Sequence, residues 1–127
     1  MSTKHDIETL DDVKLMVNTF YDRIRDNEVL GPIFNEKIQD RWPQHLEKMY
    51  RFWQTILLAE HTYNGAPFPP HARLPIDEGH FIIWVKTFSS TVDEFFSGPN
   101  AEEAKKRGSL MAAIFNSKLE YFKQHNM

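Results

Sequence analysis

The sequence predicts an all-α domain, and three observations carry that expectation. Apolar residues recur at steps of three and four through four separate windows, the spacing of a helix with one buried face. No window alternates apolar and polar residues in the manner of a half-buried strand. The windows are separated by proline, glycine and polar clusters, which halt helices because proline lacks the backbone donor and restricts the residue before it. A chain of 127 residues fits one domain with one sizeable core.

Residues 1–8 are polar and are expected to fray. From Thr9 the stripe of a first helix begins: Leu10, Val13, Met16, Val17, Phe20, Tyr21 and Ile24, with Thr9 or Asp11 as its cap and Asp12 favourable in its first turn. The stripe lapses through Arg25-Asp26-Asn27-Glu28, and the Gly31-Pro32 pair marks the end. Ile33 and Phe34 then form a short apolar clamp. A polar stretch from Asn35 to Arg41 leads to the second helix, which Asp40 can cap and in whose first turn Pro43 fits. That helix carries a broad face from Leu46 through Met49, Tyr50, Phe52, Trp53 and Ile56 to Leu58, with His45 at one edge of it.

The third helix opens on Asp77 and Glu78, where negative charge suits a helix N-terminus. Phe81, Trp84, Val85, Phe88, Val92 and Phe95 follow at helical spacing until Ser97-Gly98-Pro99-Asn100 stops them. The fourth starts near Ala101, with Glu102 and Glu103 in its first turn. Its face is Leu110, Met111, Ile114, Phe115, Leu119 and Phe122.

Between the second and third helices, Thr62 to Ile76 holds four of the seven prolines, so it is an irregular loop. Tyr63, Phe68, Leu74 and Ile76 anchor it with apolar side chains, and His71 stands among them with prolines on both sides. A long ordered loop in a compact domain is uncommon and usually functional. A rigidly held imidazole beside apolar groups suits an iron or zinc ligand, although a hydrogen-bonded or solvated histidine is the plainer reading.

Composition narrows the function classes. Aromatic residues make up 13% of the chain, more ring surface than a small helical core needs to close, so a planar apolar ligand is an option beside simple ring packing. The net charge of -3 and scattered basic residues give no footprint for nucleic acid or an anionic membrane. The absence of cysteine removes disulfides, thiolate metal sites and a thiol nucleophile, leaving His, Asp and Glu as metal ligands. The N-terminus lacks the apolar core of a signal peptide, and no run has the length of a membrane span, so a soluble cytoplasmic protein is expected.

Taken in order, the residues resemble a known family. Phe20-Tyr21 lies within the first long helix, Leu30-Gly31-Pro32-Ile33-Phe34 follows it, and His45 comes early in the second with Phe52-Trp53 beyond. Tyr63-Asn64-Gly65, the Pro-flanked His71-Ala72-Arg73-Leu74-Pro75 and Phe81-Ile82-Ile83-Trp84 complete the series. This series is similar to the truncated haemoglobins of the third group, over roughly residues 10–122. The glycine-pair motifs of the other groups are absent, and isolated Gly31 and Gly65 do not replace them. The resemblance implies a shortened globin, two antiparallel helix pairs sandwiching haem b. It implies His71 as the iron ligand and Tyr21, His45 and Trp84 as the polar residues on the opposite, ligand-binding side.

That assignment agrees with the chemistry of the residue types. A phenol O–H and an indole N–H aimed at a ligand that develops negative charge each stabilise it by about 1–3 kcal/mol. His45 either completes that network or gates access. Helix faces offer Phe34, Met49, Phe52, Trp53 and Phe88 as haem-lining candidates, and the loop adds Phe68 and Leu74; each is equally a plain core residue. Arg73 can pair with a haem propionate or stay solvated. His5, His61, His80 and His125 are given no role.

Three functions compete. The first is a haem protein that retains dioxygen, nitric oxide, carbon monoxide or another diatomic tightly. The second is a haem enzyme, a nitric oxide dioxygenase or a peroxidase-like catalyst, which in so short a chain would draw electrons from an unidentified reductase. The third is a cofactor-free helical interaction module whose aromatics are all core.

Overall fold

Thr9 shows how closely the first helix follows its sequence signals. Its extended backbone (φ -132°, ψ 165°) lets its hydroxyl accept from the Asp12 N–H at 3.2 Å, while the Asp12 carboxylate accepts from the Thr9 N–H at 3.1 Å. This reciprocal capping box satisfies two donors that the helix cannot. The computed structural model describes residues 4–58 and 78–125, with the backbone alone for 119, 120 and 122–125. Among the described residues there are five α-helices: α1 (Leu10–Asp26), α2 (Leu30–Ile38), α3 (Trp42–Leu58), α4 (Glu78–Phe95) and α5 (Pro99–His125). A 3₁₀ turn, Gln39–Arg41, joins α2 to α3. The Pro-rich loop, with the candidates Phe68, His71, Arg73 and Leu74, lies outside the described residues.

α1 is the central helix. Val13, Met16, Val17, Phe20, Tyr21 and Ile24 are all buried, and the helix packs on α2, α3 and α4. Each such side chain contributes about 1.5–3 kcal/mol relative to an exposed one.

Two expectations are corrected. The polar stretch from Asn35 to Arg41 is mostly helical, because Leu30, Phe34 and Ile38 recur every fourth residue as a buried stripe too short to stand out among polar neighbours. Asn27 starts α2 by accepting from the Val29 and Leu30 N–H groups, both at 2.9 Å. Pro32 sits in the first turn, where its missing donor costs nothing. The second correction concerns the N-terminus. Residues 4–8 do not fray: Ile7 is fully buried, and His5 makes an isolated bridge with Phe96, its carbonyl accepting from the Ser97 N–H at 3.0 Å. Asp6 caps α5 by accepting from the Asn100 and Ala101 N–H groups at 2.9 and 2.8 Å.

α4 and α5 are joined by three residues and pack together. Gly98 turns the chain at φ 140°, and a Cβ there would stand 2.6 Å from Asp6 Cγ. Asp93 pairs with Lys105, and further from the turn Gly108 on α5 lies against the Phe88 and Trp84 rings of α4, so the two helices run antiparallel. Phe88 is the centre of the core: its ring stacks on Trp53 at 5.1 Å and Trp84 at 5.4 Å and meets Phe20 edge-on at 5.2 Å. Among the described residues no helix is long and apolar enough to cross a membrane.

Candidate functional site

The contact between α1 and α3 gathers polar side chains that an ordinary core would not hold. Tyr21 and Arg25 are one turn apart on α1; Trp42 and His45 are one turn apart on α3. The Tyr21 and His45 rings meet edge to face at 5.2 Å, and Trp42 lies 5.7 Å from both. The Arg25 guanidinium rests over the Trp42 ring at 4.5 Å, a cation–π contact that fixes the indole from its outer side. Tyr21 is only 6% exposed, and burial pushes its phenol well above the ordinary tyrosine range, since a phenolate there would lose its hydration. The phenol is therefore a neutral O–H donor throughout the physiological range.

Trp84 reaches this group through a shared ring. Phe20 meets Tyr21 at 4.9 Å and Trp84 at 5.1 Å, edge-on to both. Trp84 in turn faces a pocket enclosing about 400 Å³, part of it open to solvent. Leu30 and Phe34 come to the wall from α2, His80, Phe81 and Trp84 from α4, and Met111, Ala112 and Phe115 from α5.

The structure thus brings Tyr21 and His45 together, joins Trp84 to them through Phe20, and sets Phe34 and Trp84 on the pocket wall. Trp53 and Phe88 lie behind that wall, stacked in the core. Met49 and Phe52 are half-buried on α3 against the same core. His71, Arg73, Phe68 and Leu74 lie outside the described residues.

Two residues escaped the reading of the sequence. Trp42 fell in the segment assigned to a cap and a first turn, although its three-residue spacing to His45 places both on one face. His80 precedes Trp84 by one turn, which is the signal that it shares the pocket face. The lining fits a flat apolar group, being built from Phe34, Phe81, Trp84 and Phe115 with few polar atoms. One turn along α5 from Ala112, Asn116 Oδ1 is buried without a hydrogen-bond partner.

No family model matches the chain. It is 31% identical over 114 residues to a group 3 truncated hemoglobin of Campylobacter jejuni, covering 87% of this chain and 90% of that protein. The crystal structure of the group III truncated hemoglobin from Campylobacter jejuni superposes with a TM-score of 0.82 at 29% identity, over 92% of this chain and 95% of that one.

Proposed function

This chain belongs to the group III truncated haemoglobins, and from that premise we propose that it is a haem protein that binds dioxygen or another diatomic ligand and retains it tightly. The observation that carries this reading is a buried neutral phenol packed against an imidazole and linked through the Phe20 ring to the indole that walls an apolar pocket. Haem, when bound, would supply an iron able to bind a protein imidazole and a small diatomic ligand. His71 is the imidazole we assign to it.

The other residues act by shape and by hydrogen bonding. Phe34, Phe81 and Phe115 exclude water from the flat group and leave little room beside it. Tyr21 donates its O–H to a ligand that accumulates negative charge, and needs no ionisation to do so. Trp84 offers a second donor, its indole N–H. His45, braced between Tyr21 and Trp42, orients the phenol or donates in its own right. Donors held by packed rings would reorganise little on binding, which supports slow ligand escape in this reading.

The test is ligand dissociation from the reconstituted protein. A donor worth about 1–3 kcal/mol predicts that Tyr21→Phe releases dioxygen roughly five- to hundredfold faster. An unchanged rate in both Tyr21→Phe and Trp84→Phe would remove the proposed basis of tight retention.

A further inference from the structure

We propose that Met111 is a modification site: hydrogen peroxide converts its thioether to a sulfoxide in the haem-free protein, and the sulfoxide then opposes entry of a flat group into the pocket. The consequence for haem rests on the haem reading above; the modification itself does not.

Met111 is the one sulfur-bearing residue among the described lining residues. It follows Gly108 by three residues and precedes Phe115 by four, so it shares the α5 face that Gly108 presses on α4 and Phe115 brings to the pocket. Its side chain is half-buried, and the pocket it lines is partly open to solvent. Peroxide is little larger than water and can follow the same path. A thioether needs no ionisation to react, so access decides which methionine is modified. The other described methionines supply the contrast: Met16 is fully buried in the α1 core, and Met49 is half-buried on α3 away from this wall.

In the reaction the sulfur lone pair attacks one peroxide oxygen. An S–O bond forms, the O–O bond breaks, and the departing hydroxide takes the proton of the transferred oxygen and leaves as water. Sulfur is oxidised by two electrons and the peroxide is reduced by two. The product is a polar, chiral side chain in a wall otherwise made of Leu30, Phe34, Phe81, Trp84, Ala112 and Phe115 beside His80. Turned inward, its oxygen takes up space and is stripped of water when a flat apolar group arrives. Turned outward, the side chain abandons its part of the wall. A flat group already seated on that wall would in turn shield the sulfur, so occupancy and modification oppose each other reciprocally.

The test treats the full chain with hydrogen peroxide, removes the excess with catalase, and maps sulfoxides by peptide mass spectrometry. Haem-free protein is compared with protein holding zinc protoporphyrin, which has the same outline without iron's own reaction with peroxide. The expected result is Met111 oxidation at least about tenfold faster than that of Met16, slowed several-fold by the zinc porphyrin. Haem uptake by the oxidised wild type should be weakened about tenfold and restored by a methionine sulfoxide reductase. Met111→Leu, which keeps the volume and removes the sulfur, should take up haem equally well before and after peroxide. Met111→Gln places a polar group there without peroxide and should show the weakened uptake at unchanged helicity, which keeps the proposal testable if Met111→Leu does not fold. Met111 left intact while Met49 is oxidised would overturn the modification site. Equal loss of uptake in peroxide-treated Met111→Leu, or full uptake by Met111→Gln, would overturn its consequence. An untreated wild type that takes up neither porphyrin would defeat the haem reading instead, and the sulfoxide map would still decide the site.

Discussion

Burial of Tyr21 ties the stability of the protein to the protonation of one phenol. Its folded pKa is raised above the ordinary value of 10.0, so above that pH the unfolded chain releases a proton that the folded chain keeps. The stability this group contributes is therefore fully present below about pH 10 and is lost as the pH climbs beyond it. Chemical denaturation at pH 8 and pH 10.5 should show a drop in midpoint that Tyr21→Phe reduces; an identical drop in the variant would place the titrating group elsewhere. Trp42 supports the same phenol from the side. Trp42→Leu removes the ring that touches both Tyr21 and His45, and should broaden or split the carbon monoxide stretching band while haem uptake persists. Tyr21, His45 and Trp84 were named through the family resemblance and not through their stripes, on which Tyr21 reads equally as a core residue; the structure links the three by ring contacts. Trp42 and His80 were not singled out, since each lies at a helix start where periodicity has only one turn to declare itself.

At the scale of elements, the terminal strap and two glycines position the helices that carry the site. Asp6 satisfies two N–H groups at the start of α5, so Asp6→Ala should destabilise the fold by about 1 kcal/mol, within a range of about 0.5–2. Thermal or denaturant unfolding measures this, and an effect near zero would mean that water replaces the carboxylate without loss. Gly31 allows α2 to start against the last turn of α1, and a Cβ there would collide with the Arg25 carbonyl. Gly31→Ala should cost about 1–3 kcal/mol and displace Phe34 from the pocket wall. The strap was invisible to sequence reasoning because its bonds join residues about ninety positions apart. The α2 stripe was missed for a different reason: only Leu30, Phe34 and Ile38 of its nine residues make the buried stripe, and Asn35, Glu36 and Lys37 interrupt it.

For the whole molecule, the class and order of the long helices were readable because the stripes of α1, α3 and α4 meet facing helices, whereas α5 buries Ala101, Ala104 and Ala112 and leaves Leu110 and Ile114 of its expected face exposed. Phe88, at the meeting of Trp53, Trp84 and Phe20, closes the core that these stripes predict. The pocket was less legible, since it is assembled from α2, α4 and α5, and no single stretch encodes a space between three helices. The central claim is that this space and the Tyr21–His45 pair serve a haem held by His71. Its most direct test is the visible spectrum of the protein with haem, in the ferric, ferrous and carbon monoxide states, for wild type and His71→Ala. The account predicts a strong Soret band that shifts with carbon monoxide in wild type and is weakened or altered in the variant. A spectrum no different from that of free haem, or one untouched by His71→Ala, would contradict it.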